Sequence, residues 1–192
     1  MSIVIYLGRN IKEYTSRSEA IIEQALREGR LRCEHCLQPM RRRRHSKYER
    51  SIRETGQKLI ITMVWCKKCK NWHALLPDFL LPHKQYSGNE IESVIIDSTF
   101  VPINHIETQA SETTLRRWID QIINRLKQAV SILKYLFGSA GQSVSEAAID
   151  AGPGYSELEQ LLEKAPTAVK YSGNKLGLAN LWLSTNRRNV YI

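Results

Sequence analysis

The sequence predicts an α+β fold, a small β-hairpin module followed by helices. Three observations carry this. Two Cys-x-x-Cys pairs, Cys33/Cys36 and Cys66/Cys69, bracket two short runs of β character. From Ser87 onward, apolar residues recur at helical spacing. The net charge of +9 sits almost wholly in one place: residues 30–70 hold 13 Lys or Arg and 3 Glu, a net of +10, and the remaining 15 basic and 16 acidic residues sum to −1.

Taken in order, residues 2–7 alternate weakly and read as a strand. Residues 17–28 put Ile21, Ile22, Ala25 and Leu26 on one side of a helix, and Gly29 is placed to end it. Residues 47–54 and 58–65 read as two strands with TGQ as the turn between them. In KNWHALLPDFLLPHKQYSGN two prolines interrupt an apolar stretch, which reads as an ordered connector. Ile91, Val94 and Ile95 predict a helix over 89–97, and Pro102 opens a short one, PINHIETQA.

Ser111 then caps a long helix from Glu112 to about Phe137, 26 residues, or roughly 39 Å. Leu115, Ile119, Ile122, Leu126, Ala129, Leu133 and Leu136 are spaced 4, 3, 4, 3, 4, 3 along it. Core packing and self-association into a homodimer both account for such a seam. Gly138, Gly141 and the serine between them mark a linker. SVSE at 143–146 and SELE at 156–159 carry capping-box signatures, and a third helix is expected over 175–183. YSGN occurs at 86–89 and 171–174, which reads as two similar helix starts. The organisation is an N-terminal strand and helix (1–30), the basic hairpin module (31–83), a helical pair with the long helix (84–137) and a helical C-terminal segment (138–192).

A composition of 42% hydrophobic and 24% charged residues suits a folded chain and argues against disorder. No apolar run approaches the roughly 18 residues of a membrane span. The N-terminal SIVIYL has no basic leader and no cleavage site, so the cytoplasm is expected and a membrane partner is not. In a reducing compartment, paired Cys-x-x-Cys points to metal. With a hairpin folding the chain back between them, Cys33, Cys36, Cys66 and Cys69 complete a tetrahedral zinc site. Iron with the same ligands shares this spacing, and His35, His45 and His73 lie near enough to replace a cysteine. A four-thiolate zinc has no open position, so it is structural. Asp97, Glu107, Asp120 and Asp150 have no spacing that demands catalysis, and the chain does not read as an enzyme.

The zinc would gather Arg41, Arg42, Arg43, Arg44, Lys47, Arg50, Arg53, Lys67 and Lys68 into one basic surface suited to nucleic acid. A solvated face is the plainer account of such a run. Tyr48, Trp65 and Trp72 interleave with it and suit either base stacking or core packing. PINHIETQASETTLRRW reads as helix, tight turn, helix, with Thr113, Arg116 and Arg117 outward and Leu115, Trp118 and Ile119 inward. A helix-turn-helix and an ordinary helical hairpin both fit.

WCKKCKNWHALLPDFLLPHKQYS, followed by TTLRRW, resembles a family of bacterial zinc-ribbon plus helix-turn-helix proteins related to the N-terminal DNA-binding modules of insertion-sequence transposases. The resemblance covers roughly residues 30–125. It implies zinc on the four cysteines and a recognition helix at 112–118. The Pro and Gly usual in ribbon knuckles are absent from CEHC and CKKC, and the 55 residues from 138 to 192 are too few to be expected to form a transposase catalytic domain. The expectation is a zinc-dependent DNA-binding protein of duplex DNA, a transcriptional regulator or accessory factor of a mobile element. An RNA- or single-strand-binding module, and a subunit of a larger recombination or transcription complex, are the alternatives.

Overall fold

The computed structural model describes residues 2–43, 46–139, 155–165 and 170–186. In chain order these form β1 (Ser2–Ile5), α1 (Ile11–Arg27), β2 (Lys47–Ser51), β3 (Lys58–Cys66), β4 (Asn71–Pro77), α2 (Gly88–Asp97), a 3-10 turn (Ile103–His105), α3 (Glu112–Ser139), α4 (Tyr155–Glu163) and α5 (Lys175–Thr185). The fold class is α+β, a small sheet module followed by helices. The SVSE helix expected at 143–146 lies outside the described residues.

The sheet order is β1-β4-β3-β2. β3 is antiparallel to β2, from Lys47 opposite Thr62 to Ser51 opposite Lys58. Further along, β3 is antiparallel to β4, with Met63 opposite Ala74 and Cys66 opposite Asn71. β1 lies parallel to β4. β4 corrects the reading of 71–77 as a connector. Its proline is the last residue of the strand, where a missing N–H does least harm. His73 to Pro77 are buried without interruption, the pattern of a strand covered on both faces.

α1 starts six residues before the apolar spacing indicates. Asn10 caps it, its side chain accepting from the Glu13 amide at 3.0 Å. Gly8 makes that entry: at φ 128, a Cβ there would sit 2.9 Å from the Tyr14 nitrogen. Tyr14, Ile22 and Ala25 face the sheet, and the Tyr14 hydroxyl donates to the Ile60 carbonyl at 2.8 Å. Gly29 follows the helix at φ 65, as its sequence position predicts.

Two hydrophobic cores result. One joins α1 and the sheet, from Ile3 to Leu80, so the strand and helix of residues 1–30 share a core with the hairpin module. The other joins α2 to α5. Leu115, Ile122, Leu126, Ala129 and Leu133 of the heptad seam are buried in it, so the seam packs within its own chain. α4 begins at Tyr155, which puts Ser156 inside the first turn instead of at the cap. The Glu92 carboxylate crosses between helices: it accepts the amides of Lys175 (2.7 Å) and Leu176 (3.3 Å) at the start of α5 and the Tyr155 hydroxyl. Among the described residues no helix is long and apolar enough to cross a membrane.

The helix expected over 102–110 is a second correction. Only Ile103–His105 turn, as 3-10, and Ile106 is extended. Thr108 explains the break. Its hydroxyl donates to Glu90 at 2.5 Å and accepts from the Ala110 amide at 3.2 Å, side-chain bonds that compete with helix formation. The helix before α3 is therefore α2, and the intervening residues 98–111 are too many for the tight turn of a helix-turn-helix.

Candidate metal centre and basic surface

Cys33 and Cys36 lie in the loop after α1. Cys66 closes β3, and Cys69 lies in the turn to β4. The β3–β4 turn and the short Arg32–Pro39 bridge bring the two pairs face to face. All four sulfurs lie within 4.8 Å of one another, with Cys33–Cys69 at 3.7 Å and Cys36–Cys66 at 3.4 Å. A tetrahedron with metal–sulfur bonds of about 2.3 Å has sulfur–sulfur edges of about 3.8 Å, so the cage has the size a metal ion needs. Cys33 and Cys66 are buried, and Cys36 and Cys69 are half-buried.

Crowded thiols titrate unequally. The Gln38 amide holds Cys36 down to about 7, whereas the Cys36 sulfur and then burial push Cys69 up to about 12. Burial raises Cys33 as well. A cation among the sulfurs removes the conflict by stabilising every thiolate. These four cysteines could hold a metal ion, and they are the only such grouping of His, Cys, Asp and Glu among the described residues.

Both knuckles make the same unusual turn. Leu37 and Lys70, each the residue after the second cysteine of its pair, have φ 60 and φ 54. That left-handed region suits the glycine missing from both pairs. In the first knuckle the Leu37 amide donates to the Cys33 carbonyl and the Cys33 amide to the Gln38 carbonyl, both at 2.9 Å. In the second, the Cys69 amide donates to the Cys66 sulfur at 3.4 Å. His73, on β4, reaches the cluster from the core side, with Nε2 3.7 Å from the Cys33 sulfur. Burial holds its pKa below the usual range. His35 is exposed, and His45 lies outside the described residues.

Residues 33–118 match a family model described as a domain of unknown function (DUF6431). The match runs from the first cysteine through the hairpin to the second turn of α3. No curated protein and no solved structure matches the chain.

Within the matched segment Arg41, Arg42 and Arg43 form an irregular bulge beside the edge of β3. Arg41 and Trp65 exchange backbone hydrogen bonds at 3.0 and 2.8 Å, and the Met63 amide donates to the Ser46 carbonyl at 2.7 Å. Arg41 and Ser46 are thus each hydrogen-bonded to β3. Arg41 and Arg43 are exposed; Arg44 lies outside the described residues. The Arg43 guanidinium sits over the Trp65 ring at 4.6 Å and the Trp72 ring at 5.9 Å.

Other predicted contacts are engaged inside the chain. Arg42 pairs with Glu19 at 2.6 Å and Glu23 at 2.8 Å, and Lys47 pairs with Glu19 at 2.5 Å. Burial disfavours ionisation of Glu19, but the bonds from Lys47 and Arg42 outweigh it and hold the carboxyl below its usual range. Arg50 turns inward and donates to the Leu81 carbonyl at 2.8 Å and to that of Lys84, pinning the loop before α2. Arg53, Lys67 and Lys68 are exposed. On α3, Thr113, Arg116 and Arg117 are exposed while Leu115 and Trp118 are buried, as the spacing predicts. Arg116 pairs with Glu112 at 2.5 Å, an exposed helical pair of little energetic weight.

Sequence reasoning missed two things here. Glu19 and Glu23 stand four apart on the polar face of α1, a signal that was legible as a face but not as a partner for Arg42 and Lys47. It also missed Lys84 and Arg125. Arg117, Gln121 and Arg125 recur every four residues along one line of α3, beside the buried stripe.

Proposed function

We propose that the chain is a zinc-dependent DNA-binding protein of the cytoplasm, a transcriptional regulator or accessory factor of a mobile element. What carries the reading is the concentration of exposed Arg41, Arg43, Arg53, Lys67 and Lys68 on a sheet stapled by four converging cysteines. Four sulfur donors favour zinc, and a closed shell of thiolates makes the metal a folding element with no site for water. In this reading the sheet supplies phosphate contacts, and Thr113, Arg116 and Arg117 read base edges from the first turns of α3. The resemblance to transposase N-terminal modules supports the mobile-element setting. A recombination or transcription complex is the natural larger assembly.

The test is direct. The metal-loaded chain is titrated with a random-sequence duplex at several salt concentrations. Replacing Arg41 and Arg43 by Ala weakens binding to every sequence and lowers the salt slope by about 0.9 per lost phosphate contact. Selection from a random duplex pool then yields a preferred site that shifts on Thr113→Ala, Arg116→Ala or Arg117→Ala. An unchanged slope together with no selected site overturns the reading. Elemental analysis giving one zinc per chain, or a coloured iron centre, decides the metal.

One observation favours a second reading, binding of single strands or RNA. Trp72 is 36% exposed and Tyr48 40%, and the Trp72 ring packs tilted against Trp65 at 5.0 Å with Arg43 over it. Such a surface offers base-stacking faces beside cations. Competition between duplex and single strands separates the two.

A further inference from the structure

A cleft of about 500 Å³ opens where the tip of the β2–β3 hairpin, the loop before α2 and the first turns of α3 meet. Its polar lining is cationic: Arg53 comes from the hairpin, Lys84 from the loop, and Arg117 and Arg125 from α3, with Thr114 and Gln121 between them. No Asp or Glu lines it. Four positive groups converging in a concavity without a carboxylate repel one another. The Lys84 ammonium records this, since burial first, and then Arg125 and Arg117, hold its pKa below the usual range.

The walls are fixed in place. The Arg53 amide donates to the Gln85 carbonyl at 2.8 Å, tying the hairpin tip to the loop. Arg50 holds the same loop through the Leu81 and Lys84 carbonyls. His83 adopts φ 62, a left-handed position for a bulky residue. Tyr86 packs edge-on against Trp118 at 4.7 Å, and Lys84 Nζ donates to Gln121 Oε1 at 2.6 Å. A preorganised set of donors and like charges is stabilised by an oxyanion entering among them.

We propose that this cleft is a phosphate-binding site in which Lys84 and Arg117, flanked by Arg53 and Arg125, take a phosphoryl group. The site stands apart from the metal-stapled bulge and does not require the DNA reading to hold. A backbone phosphate of nucleic acid and the phosphate of a small molecule share this chemistry, and the arms of the experiment separate them.

The metal-loaded full chain, a Lys84→Gln/Arg117→Gln double variant and a Lys127→Gln control are titrated calorimetrically with inorganic pyrophosphate at constant ionic strength. Lys127 is exposed on α3 outside the cleft. The same three proteins are titrated with duplex DNA, with and without pyrophosphate, after circular dichroism and metal content confirm the fold. Removing two of the four cations lowers pyrophosphate affinity by about tenfold or more, and the control stays within about twofold. If the double variant also weakens DNA binding and pyrophosphate competes with DNA, the ligand is a backbone phosphate. If pyrophosphate binds through Lys84 and Arg117 while DNA binding is absent or unaffected, the ligand is a small phosphate compound and the site survives failure of the DNA reading. If neither titration depends on Lys84 and Arg117, the inference is overturned, even where the duplex still binds. Should the double variant misfold, the single Lys84→Gln variant gives the same readout.

Discussion

Glycine substitution at Leu37 and Lys70 tests whether the metal centre holds its knuckles against their own sequence. Both residues sit at positive φ, 60 and 54, immediately after the second cysteine of a pair. An L-residue there gives up about 1–2 kcal/mol, and glycine returns about 0.5–1 kcal/mol of that as unfolded-chain entropy. The net gain expected from each Leu37→Gly or Lys70→Gly is therefore about 0.5–1 kcal/mol, or about 1–2 kcal/mol for the pair. Little packing is lost, since Leu37 is 44% exposed and Lys70 is exposed too. For a chain of this size, that raises the melting temperature by about 2–8 °C. The assay is thermal and urea unfolding at fixed free zinc, with metal content measured on each protein. Leu37→Ala and Lys70→Ala are the controls: they remove the side chain but keep the Cβ, and bring no gain. Glycine variants that lose stability or metal would refute the strain argument, because the turns would then depend on those side chains.

Three further outcomes follow from the geometry. Glu19→Gln with Glu23→Gln releases Arg42 and Lys47 from their internal partners; under the proposed DNA-binding function, nucleic-acid affinity then rises and the salt slope steepens by up to about two phosphate contacts, read by the same titrations. Burial lifts the Asp78 pKa from 3.8 to about 6. The folded chain therefore holds this proton more tightly than the unfolded one, and the associated stability is full below pH 3.8 and lost as pH rises through about 6. Asp78→Asn mimics the protonated form and at pH 8 stabilises the chain by at most about 3 kcal/mol, with no advantage left near pH 4, in denaturant titrations at fixed zinc. Gly177→Ala places a Cβ 2.0 Å from the Asp78 backbone carbonyl; unfolding free energy falls by about 3 kcal/mol or more, and a variant of unchanged stability would show that α5 does not dock there.

What the sequence disclosed was local. The cysteine spacing, the hairpin around its turn and the inward and outward faces of α3 follow from periodicities of two and 3.6 that a short window contains. What it concealed depends on distant partners. Asn71–Pro77 becomes a strand because β1 supplies a parallel edge some seventy residues earlier, Ser2 lying opposite Ala74. Residues 102–110 lose their helix to a hydroxyl bond between Thr108 and Glu90. Arg42 and Lys47 look like surface cations until α1 docks with Glu19 and Glu23 toward them. The repeated YSGN reads as two similar helix starts, and it is: Ser87 caps α2 and Asn174 caps α5. Its second meaning is tertiary. The two starts touch, a Cβ on Gly88 falling 2.7 Å from the Asn174 side-chain oxygen.

The hairpin sets the scale of any ligand that meets both cationic regions. At the knuckle end, Arg41 bridges Trp65, one residue before Cys66, and carries the bulge with Arg43. At the far end, Arg53 in the hairpin tip joins Lys84, Arg117 and Arg125 around the cleft. β3 runs between them from Lys58 to Cys66, a length of about 30 Å at the usual strand rise. A small phosphate compound can occupy the cleft but cannot reach the bulge. A polyanion can span both, and about 30 Å is close to one turn of duplex DNA, about 34 Å. The two surfaces are joined through one strand: β2, pinned through Arg50 to the loop of Lys84, is hydrogen-bonded along β3, which ends in the cysteine cage. If a metal fills the cage, its removal therefore loosens the bulge before the cleft, and under the proposed readings duplex affinity falls before pyrophosphate affinity as the metal is withdrawn.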